Sequence, residues 1–200
     1  MTAKRNLVLF DLDGTITTKD TLFLFLAFTH GQMGMAFGLM QLAPYFALYG
    51  LKQISAQRMK ELLFGKFYAG WSSLELCEAG ERFAAAFISN PTIVRPVLIQ
   101  TLNNAVLQGH SVCIVSASPS IWVRPFATSL HVAYISTELA FDADGIFRGK
   151  LNGANMNGQH KATAIKERYA LADYEKVIAF GNSNGDAPML ALAHEPHWIK

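Results

Sequence analysis

Three short apolar runs, each followed by a loop of polar residues, restrict most strongly how this chain of 200 residues can fold. They occupy residues 7–10, 112–115 and 177–180. Each run has the length of a buried strand, and each stops at a cluster of Asp, Ser, Asn or Gly residues that is typical of loops. The pattern therefore predicts three buried strands whose carboxyl ends carry polar loops.

Helical patterns alternate with these runs. They cover residues 121–130 after the second run, 161–169 before the third and 188–193 after it. Alternating strands and helices are typical of βα units, so we predict an α/β protein with a doubly wound, parallel sheet. Ligands of open parallel sheets bind beyond the carboxyl ends of the strands, and the three polar loops are therefore expected to form one site.

Residues 134–151 follow a different pattern, with an Asp-Gly pair at Asp144 and Gly145 inside the segment 141–146. Asp-Gly between two short strands is typical of a tight hairpin turn. We therefore predict a hairpin at the edge of the sheet, with a purely structural role.

Residues 19–89 also differ from the rest of the chain. They are rich in Phe, Leu and Met, they have helical periodicity, and they lack the alternation of strands. We interpret them as a helical cap inserted into a core domain that consists of residues 1–18 and 90–200.

Residues 21–51 contain no Asp, Glu, Lys or Arg, which raises the question of a membrane span. A span needs roughly 20 continuous apolar residues, and the run is interrupted at Gly31, Gln32, Gln41 and Pro44. We therefore favour the helices of a soluble cap over a span. A segment that lies at the membrane interface is the intermediate alternative.

Composition excludes several classes of protein. Hydrophobic residues make up 51% of the chain and charged residues 16%, which argues against disorder. The net charge is only +2 and the basic residues are scattered, so no nucleic-acid partner is expected. Cys77 and Cys113 lie far apart in apolar stretches, which favours free thiols in a reducing compartment. The apolar run at residues 7–10 is too short for a signal-peptide core, and we expect a cytoplasmic location.

The loop after the first run has the sequence Asp-Leu-Asp-Gly-Thr at residues 11–15. Two carboxylates separated by one residue can divide the work of phosphoryl transfer. Asp11 can attack phosphorus to give an aspartyl phosphate, while Asp13 protonates the departing alkoxide and then deprotonates water. A turn that binds calcium or caps a helix has the same composition, so this motif alone leaves both interpretations open.

The later loops offer groups that a phosphate ester needs. Ser116 and the backbone N–H of Ala117 precede a helix, whose amino end favours anions. Lys161, at the start of another helix, can offset the repulsion between phosphate and carboxylates. Asn182 and Asp186 carry hard oxygen atoms of the kind that Mg²⁺ prefers. Taken singly, these residues also fit a helix cap, a surface lysine and a turn.

Together, these segments resemble the four motifs of the haloacid dehalogenase superfamily in order and in spacing. The motifs correspond to residues 11–15, Ser116, Lys161 and residues 181–186. The resemblance spans nearly the whole chain, and the insert after the first motif resembles the helical cap of the phosphoserine-phosphatase-like branch. It implies a Rossmann-like core and a Mg²⁺-dependent phosphatase.

The resemblance also implies a role for each matching residue. The implied catalytic and phosphate-binding residues are the nucleophile Asp11, the general acid and base Asp13, and the phosphate ligands Ser116, Ala117 and Lys161. Mg²⁺ would be held by Asp11, the carbonyl oxygen of Asp13, Asn182 and Asp186. The family usually has Asp where this chain has Asn182, so we expect weaker Mg²⁺ binding. A protein that holds metal and phosphate with little or no turnover, in a regulatory role, is therefore the alternative.

The substrate stays open at this stage. Asp20 and Arg58 lie about where phosphoserine phosphatases carry substrate-binding acidic and arginine residues. Residues 183–190 and the apolar cap resemble phosphatidylglycerophosphatase-type relatives equally well. The expected partner is therefore a small phosphate ester, either a phosphorylated metabolite or a phospholipid head group, and membrane association is the less favoured alternative.

Overall fold

A six-stranded sheet forms the centre of the protein in a computed structural model that describes residues 5–200. The strands are β1 (Leu7–Phe10), β2 (Ser111–Pro119), β3 (Ala133–Phe141), β4 (Phe147–Asn152), β5 (Val177–Gly181) and β6 (Glu195–Trp198). Their spatial order is β4-β3-β2-β1-β5-β6, and all neighbours run parallel except β3 and β4. The predicted parallel sheet is confirmed.

The central strand β1 determines where the polar loops meet. Phe10, its last residue, is paired with Ile114 of β2 on one side and with Phe180 of β5 on the other. The chain leaves β1 and β5 at the same edge of the sheet, where ligands of open parallel sheets bind. Strand β2 is longer than predicted: residues 116–119, predicted as a loop, are its last four residues, and its pairing with β3 is irregular between Val115 and Pro119. The three predicted runs are thus adjacent strands, and the polar residues that follow them converge.

Helices cover both faces of the sheet and also form a separate layer. Among the described residues the helices are α1 (Thr21–Gln41), α2 (Ala43–Gly50), α3 (Ala56–Tyr68), α4 (Ser73–Ile88), α5 (Pro96–Leu107), α6 (Ser120–Ser129), α7 (Gln159–Arg168) and α8 (Ala187–Leu190). The first four lie between β1 and α5 without an intervening strand, in agreement with an inserted helical cap. The exact domain boundaries at residues 18/19 and 89/90 stay a prediction. The last helix is shorter than expected, since α8 ends at Leu190 and the residues that follow form turns.

Alternate residues of β1 point into two different apolar cores. Val8 and Phe10 belong to a large core that extends into the cap, whereas Leu7 and Leu9 belong to a smaller core on the opposite face. This alternation follows from the two-residue repeat of a strand. A strand that is buried on both faces requires helices on both sides, so the doubly wound arrangement is confirmed. Cys113 is buried in the smaller core, and both Cys77 and Cys113 are free thiols.

Aromatic side chains join the cap to the core. Phe25 of α1 packs on Trp122 of α6, with ring centroids 4.6 Å apart, and on Phe83 of α4, at 5.3 Å. All three side chains are buried. The first turns of α1 are therefore held firmly against the core, next to the loop that follows β1.

The edge hairpin forms as predicted and reaches the cap. Strands β3 and β4 are antiparallel, and Gly145 adopts a positive φ of 73° in the turn between them. The backbone N–H of Phe147 donates to the carbonyl oxygen of Trp71, between α3 and α4. The hairpin thus supports the cap from the side.

Helix α1 is long and apolar enough, by length and composition alone, to cross a membrane. However, Gly31 has φ 68° and ψ 168°, which breaks the helix into two halves. Each half of about ten residues is roughly 15 Å long, or half the thickness of a bilayer's hydrocarbon layer. Because Phe25 and Leu26 of the first half are buried in the protein, we retain the interpretation of α1 as a cap helix.

A glycine at the contact between cap and core gives a testable prediction. A Cβ atom at Gly80 of α4 would lie 2.1 Å from the carbonyl oxygen of Ile121 in α6. We expect Gly80→Ala to lower the free energy of unfolding by about 1–3 kcal/mol, because backbone must shift to make room. Gly50→Ala is the matched control, since a Cβ there meets no atom within 4 Å. Equal stability of the two variants in denaturant titrations would contradict the prediction.

Candidate active site

The loops after β1 and β5 meet the last residues of β2 at a cleft of about 420 Å³ beneath the cap. Most of the residues that the sequence predicts for the site line this cleft, namely Asp11, Asp13, Asp20, Ala117, Lys161, Asn182 and Asp186. Two predicted residues, Ser116 and Arg58, are absent from its lining. The convergence of loops predicted from the strand pattern therefore occurs, with these two exceptions.

Lys161 lies at the centre of the site, between two carboxylates. Its Nζ donates to Asp11 Oδ1 and to Asp186 Oδ1, each at 2.6 Å, and all three side chains are buried. Asp186 Oδ2 accepts hydrogen bonds from the backbone N–H groups of Asn182 and Ser183 and from the Ser183 hydroxyl. Both oxygens of Asp186 are thus engaged, as expected of a residue that orients Lys161. Its role as a metal ligand stays a prediction.

Asp11 carries an oxygen atom that nothing satisfies. Asp11 Oδ2 is buried and has no hydrogen-bond partner among the residues that the structure describes. Burial raises the pKa of Asp11 to about 7. The negative charges of Asp186 and Asp13 raise this pKa further, whereas the positive charge of Lys161 lowers it. Burial would lower the pKa of Lys161, but Asp11 and Asp186 raise it above its ordinary value. One ammonium group shared between two carboxylates leaves Asp11 short of positive charge, with one oxygen free to react or to bind a cation.

Asp13 is bound to both the core and the cap. Its Oδ1 accepts hydrogen bonds from the backbone N–H and hydroxyl of Thr21, at 2.7 and 2.5 Å. Its Oδ2 accepts from the hydroxyls of Ser118, at 2.7 Å, and Ser116, at 3.2 Å. Since Thr21 is the first residue of α1, the position of the Asp13 carboxylate depends on the position of the cap.

Ser116 does not line the cleft, whereas Ala117 does. Ser116 is fully buried behind Asp13, where its Oγ also accepts from the backbone N–H of Ser118. The carbonyl oxygen of Ala117 accepts from Lys60 Nζ at 2.6 Å and from Thr137 Oγ1 at 2.7 Å. In this structure, Ser116 orients Asp13, and the phosphate-binding roles of both residues stay predictions.

Gly14 allows the first loop to approach the last one. It has a φ of 80°, and a Cβ at this position would lie 2.0 Å from Asn182 Nδ2. Thr15 Oγ1 donates to Asn182 Oδ1 over 3.4 Å, a long hydrogen bond. Asn182 thus lies directly over the loop that carries Asp11 and Asp13, and its role as a metal ligand stays a prediction.

Lys60, rather than Arg58, provides the cap's positive charge in the cleft. Arg58 is half exposed and forms an ion pair with Glu61 at 3.4 Å on the outer side of α3. Lys60 Nζ donates to the carbonyl oxygen of Ala117 and to Asn155 Oδ1, both at 2.6 Å. Its ammonium group therefore crosses from the cap to the core, and the geometry gives the predicted substrate contact of Arg58 no support.

Comparisons with known proteins agree with this geometry. Residues 8–191 match the family model of haloacid dehalogenase-like hydrolases. The chain belongs to this family. Protein CicA of Caulobacter vibrioides is 32% identical over 190 residues, which cover 94% of this chain and 83% of the relative. The predicted membership of the haloacid dehalogenase superfamily, and the prediction of an enzyme of that class, are therefore confirmed.

Solved structures share the fold over almost the whole chain of this haloacid dehalogenase-like hydrolase. A protein of unknown function from Bordetella pertussis superposes with a TM-score of 0.81 at 24% identity, covering 96% of this chain and 88% of that chain. A phosphoserine phosphatase solved as an analogue of its phospho-aspartyl intermediate superposes with a TM-score of 0.66 at 17% identity, covering 95% and 84% of the two chains. The predicted phosphoserine-phosphatase-like fold is confirmed.

Sequence reasoning missed three residues that contribute to the site. Thr21 and Ser118 hold Asp13, and Lys60 lines the cleft. A signal existed for two of them, because Thr21 follows the helix-capping Asp20 and Ser118 belongs to the same polar stretch as Ser116 at the end of β2. Lys60 gave no signal, since a lysine on a cap helix is usually exposed.

The half-buried position of Lys60 predicts a gain in stability when its charge is removed. Burial lowers its pKa to about 8 from an ordinary 10.5, with the charges of Asp13 and Asp20 acting in the opposite direction. We expect Lys60→Met to raise the free energy of unfolding at pH 7 by about 1–3 kcal/mol, because one pKa unit corresponds to about 1.4 kcal/mol. Thr137 still donates to Ala117 and Asn155 in the variant.

The pH dependence of this gain follows from the direction of the shift. The unfolded chain binds the proton of Lys60 more tightly, so the cost of the charge is complete below pH 8 and disappears toward pH 10.5. Denaturant titrations of wild type and Lys60→Met should therefore converge as pH rises through this window. Lys66→Met, on the exposed side of the same helix, should show no such change, and a pH-independent difference for Lys60→Met would contradict the assignment.

Proposed function

We propose that the protein is a Mg²⁺-dependent phosphatase that hydrolyses phosphate monoesters through an aspartyl phosphate on Asp11. The observation that carries this proposal is the state of the Asp11 carboxylate. It is buried at the floor of the cleft, Lys161 holds one of its oxygens, and the other lacks any partner among the described residues. A carboxylate placed in this way is prepared for nucleophilic attack on an electrophile that enters the cleft.

The proposed reaction proceeds in two displacements. The Asp11 carboxylate forms a bond to phosphorus while the ester P–O bond breaks, and Asp13 donates a proton to the departing alkoxide. Asp13 then accepts a proton from water as that water attacks phosphorus, which breaks the bond to Asp11 and releases inorganic phosphate. Asp13 is two residues from Asp11, lines the same cleft, and is oriented by Thr21 and Ser118.

The charge of the cleft supports a divalent cation as cofactor. Its described lining contains the carboxylates of Asp11, Asp13, Asp20 and Asp186 but only the ammonium groups of Lys60 and Lys161. A phosphate group would add further negative charge to this set. Bound Mg²⁺ would neutralise charge on the transferring phosphoryl group.

The residues present fit Mg²⁺, although not as a cluster of charged ligands. Among residues 5–200 there is no group of three or more His, Cys, Asp or Glu side chains that could hold a metal. The fit rests on oxygen atoms of mixed kind, namely the unpaired Asp11 Oδ2, the Asn182 amide oxygen and the Asp13 carbonyl oxygen. Lys161 and Ser183 already bind the oxygens of Asp186. Asp186 would therefore contribute indirectly, by orienting Lys161 next to Asp11.

The proposed substrate is a small phosphate ester, and the proposed location is the cytoplasm. The phosphoserine phosphatase with the same fold supports phosphatase chemistry, whereas Asp20 and Lys60 would meet the leaving group. Asn182 favours a second candidate, a protein that binds metal and phosphate with little or no turnover, because this position contributes no charge to the metal site.

Hydrolysis of p-nitrophenyl phosphate tests the proposed mechanism. We expect Mg²⁺-dependent release of phosphate that stops on addition of a chelator. Asp11→Asn should lower kcat at least about a thousand-fold, since an amide cannot form the aspartyl phosphate. The matched control is Asp173→Asn, an exposed aspartate outside the cleft lining, which should retain wild-type activity. Activity that survives Asp11→Asn would refute the nucleophile, and phosphate binding without hydrolysis in wild type would favour the second candidate.

The role of Asn182 can be tested by restoring a carboxylate. If its side chain binds the metal, Asn182→Asp should lower the Mg²⁺ concentration for half-maximal activity about ten-fold or more, because the ligand gains a full charge. Isothermal titration with Mg²⁺ gives a second measurement. Asn184→Asp adds the same charge to the same loop without lining the cleft. Equal effects of the two substitutions would show that position 182 is not a ligand.

A further inference from the structure

The second half of α1, α2 and the residue that follows them form an exposed apolar surface, which we call the α1–α2 surface and define as residues 31–51. From residue 31 to residue 50, only Gly38 and Leu42 are buried. Large apolar side chains on it are widely exposed, with 84% of Met33, 59% of Phe37, 64% of Met40 and 69% of Leu51 accessible. Exposed apolar area of this density on a protein marks an interaction site.

The α1–α2 surface lacks the polar side that a helix on a protein surface normally has. It contains no Asp, Glu, Lys or Arg. A helix that is apolar all round is expected inside a large core or in lipid. Here the rest of the protein buries only two of the residues, while Met35, Leu39 and Phe46 pack partly against the core. A protein partner would cover part of the exposed side of the helix pair and leave the remainder in water. Lipid acyl chains can cover every exposed side of both helices, so the observations favour a bilayer over a protein.

The geometry of the two helices suits a position in the membrane interface rather than across it. The break at Gly31 leaves a second half of about ten residues, and α2 has 8 residues. These lengths correspond to roughly 15 and 12 Å, both well short of the hydrocarbon thickness. Gly38 packs on Phe67 of α3, where a Cβ would lie 2.3 Å from the ring, and Leu42 is buried. Met35, Leu39 and Phe46 also pack partly against the core. The pair is therefore attached to the protein along one side and exposed on the other.

Side chains at the end of the surface match the polar boundary of a bilayer. Tyr45 and Tyr49 on α2 are 41% and 44% exposed, and Lys52 follows directly as the first charged residue after Asp20. Tyrosine and lysine are typical at the level of lipid head groups, where an apolar stem and a polar tip are both satisfied.

The catalytic cleft opens next to this surface. A second cavity, of about 300 Å³, is lined by Phe46 and Tyr49 of α2 together with Met59 and Leu63 of α3. It shares part of its lining with the catalytic cleft, namely Asp20, Leu22, Lys60, Ala117 and Asn157. The two cavities therefore adjoin, and the second one extends the catalytic cleft toward the α1–α2 surface.

We propose that the α1–α2 surface docks into one leaflet of a lipid bilayer and places the mouth of the cleft at the membrane surface. The docking rests on the cap alone. Its consequence for catalysis, access to phosphate esters carried by lipids, rests on the proposed phosphatase function.

Co-sedimentation of the full chain with phosphatidylcholine vesicles tests the docking. We expect wild type to bind neutral vesicles and to remain bound at high salt, because the surface contains no charge. The triple variant Met33→Gln, Phe37→Gln, Met40→Gln should partition into vesicles at least about a hundred-fold more weakly. Each substitution replaces a large apolar side chain that would be buried in lipid. Asp11→Asn should bind as wild type does, which separates a failure of docking from a failure of the proposed chemistry.

The chain provides a matched control for this triple variant. Leu74, Val97 and Leu107 are exposed to similar extents, 66%, 68% and 85%, on α4 and α5. Their simultaneous replacement by Gln should leave vesicle binding unchanged, and thermal unfolding should show that both triple variants are folded. The proposal is overturned if wild type does not bind vesicles, or if the two triple variants bind equally. A third outcome would assign the surface to a second copy of the chain. In that case wild type would self-associate without lipid and would not bind vesicles, and the Met33, Phe37 and Met40 variant would no longer self-associate.

Discussion

The buried ion cluster of Lys161 with Asp11 and Asp186 is the interaction on which the rest of the site depends. It joins helix α7 to the loops after β1 and β5, with both Nζ–O distances at 2.6 Å. Buried charges are stable only when paired, and removal of one partner leaves the others uncompensated at several kcal/mol. The cluster as described satisfies Asp186 fully and Asp11 only in part. The remaining demand for positive charge therefore falls on Asp11 Oδ2, the oxygen that the proposed reaction uses.

A second link connects catalysis to the cap. Thr21, the first residue of α1, donates its backbone N–H and its hydroxyl to Asp13 Oδ1. Trp122 Nε1 donates to the same hydroxyl at 2.9 Å. Any tilt of α1 would therefore change the hydrogen bonds of the carboxylate that is proposed to move protons. The position of the cap and the proposed proton transfer are thus coupled directly, through the hydrogen bonds between Thr21 and Asp13.

The fold was predictable because burial leaves a simple pattern in the sequence, whereas the site was predictable only in part. Buried runs followed by polar residues identified β1, β2 and β5, and parallel pairing then required those polar residues to meet. Arg58 and Lys60 show where prediction ends: they lie about 200° apart around α3, so only one can face the cleft. The sequence pattern does not say which, since it depends on how α3 packs against the core. Ser116 and Asp186 show a second limit, because the sequence does not say whether a hydroxyl or a carboxylate contacts a ligand or orients a neighbouring side chain.

The two halves of α1 explain how one cap can combine a polar site with an apolar exterior. The half before Gly31 is packed through Phe25 and Leu26 and must remain fixed, because Thr21 orients Asp13. The half after Gly31 is held less tightly: Gly38 is its one buried residue, and Met35 and Leu39 pack partly against the core. The widely exposed apolar residues there are not explained by folding stability, since burial of a side chain stabilises only if water is removed from it. A bilayer would supply that removal, and the rigid first half would then transmit the docked orientation directly to the cleft.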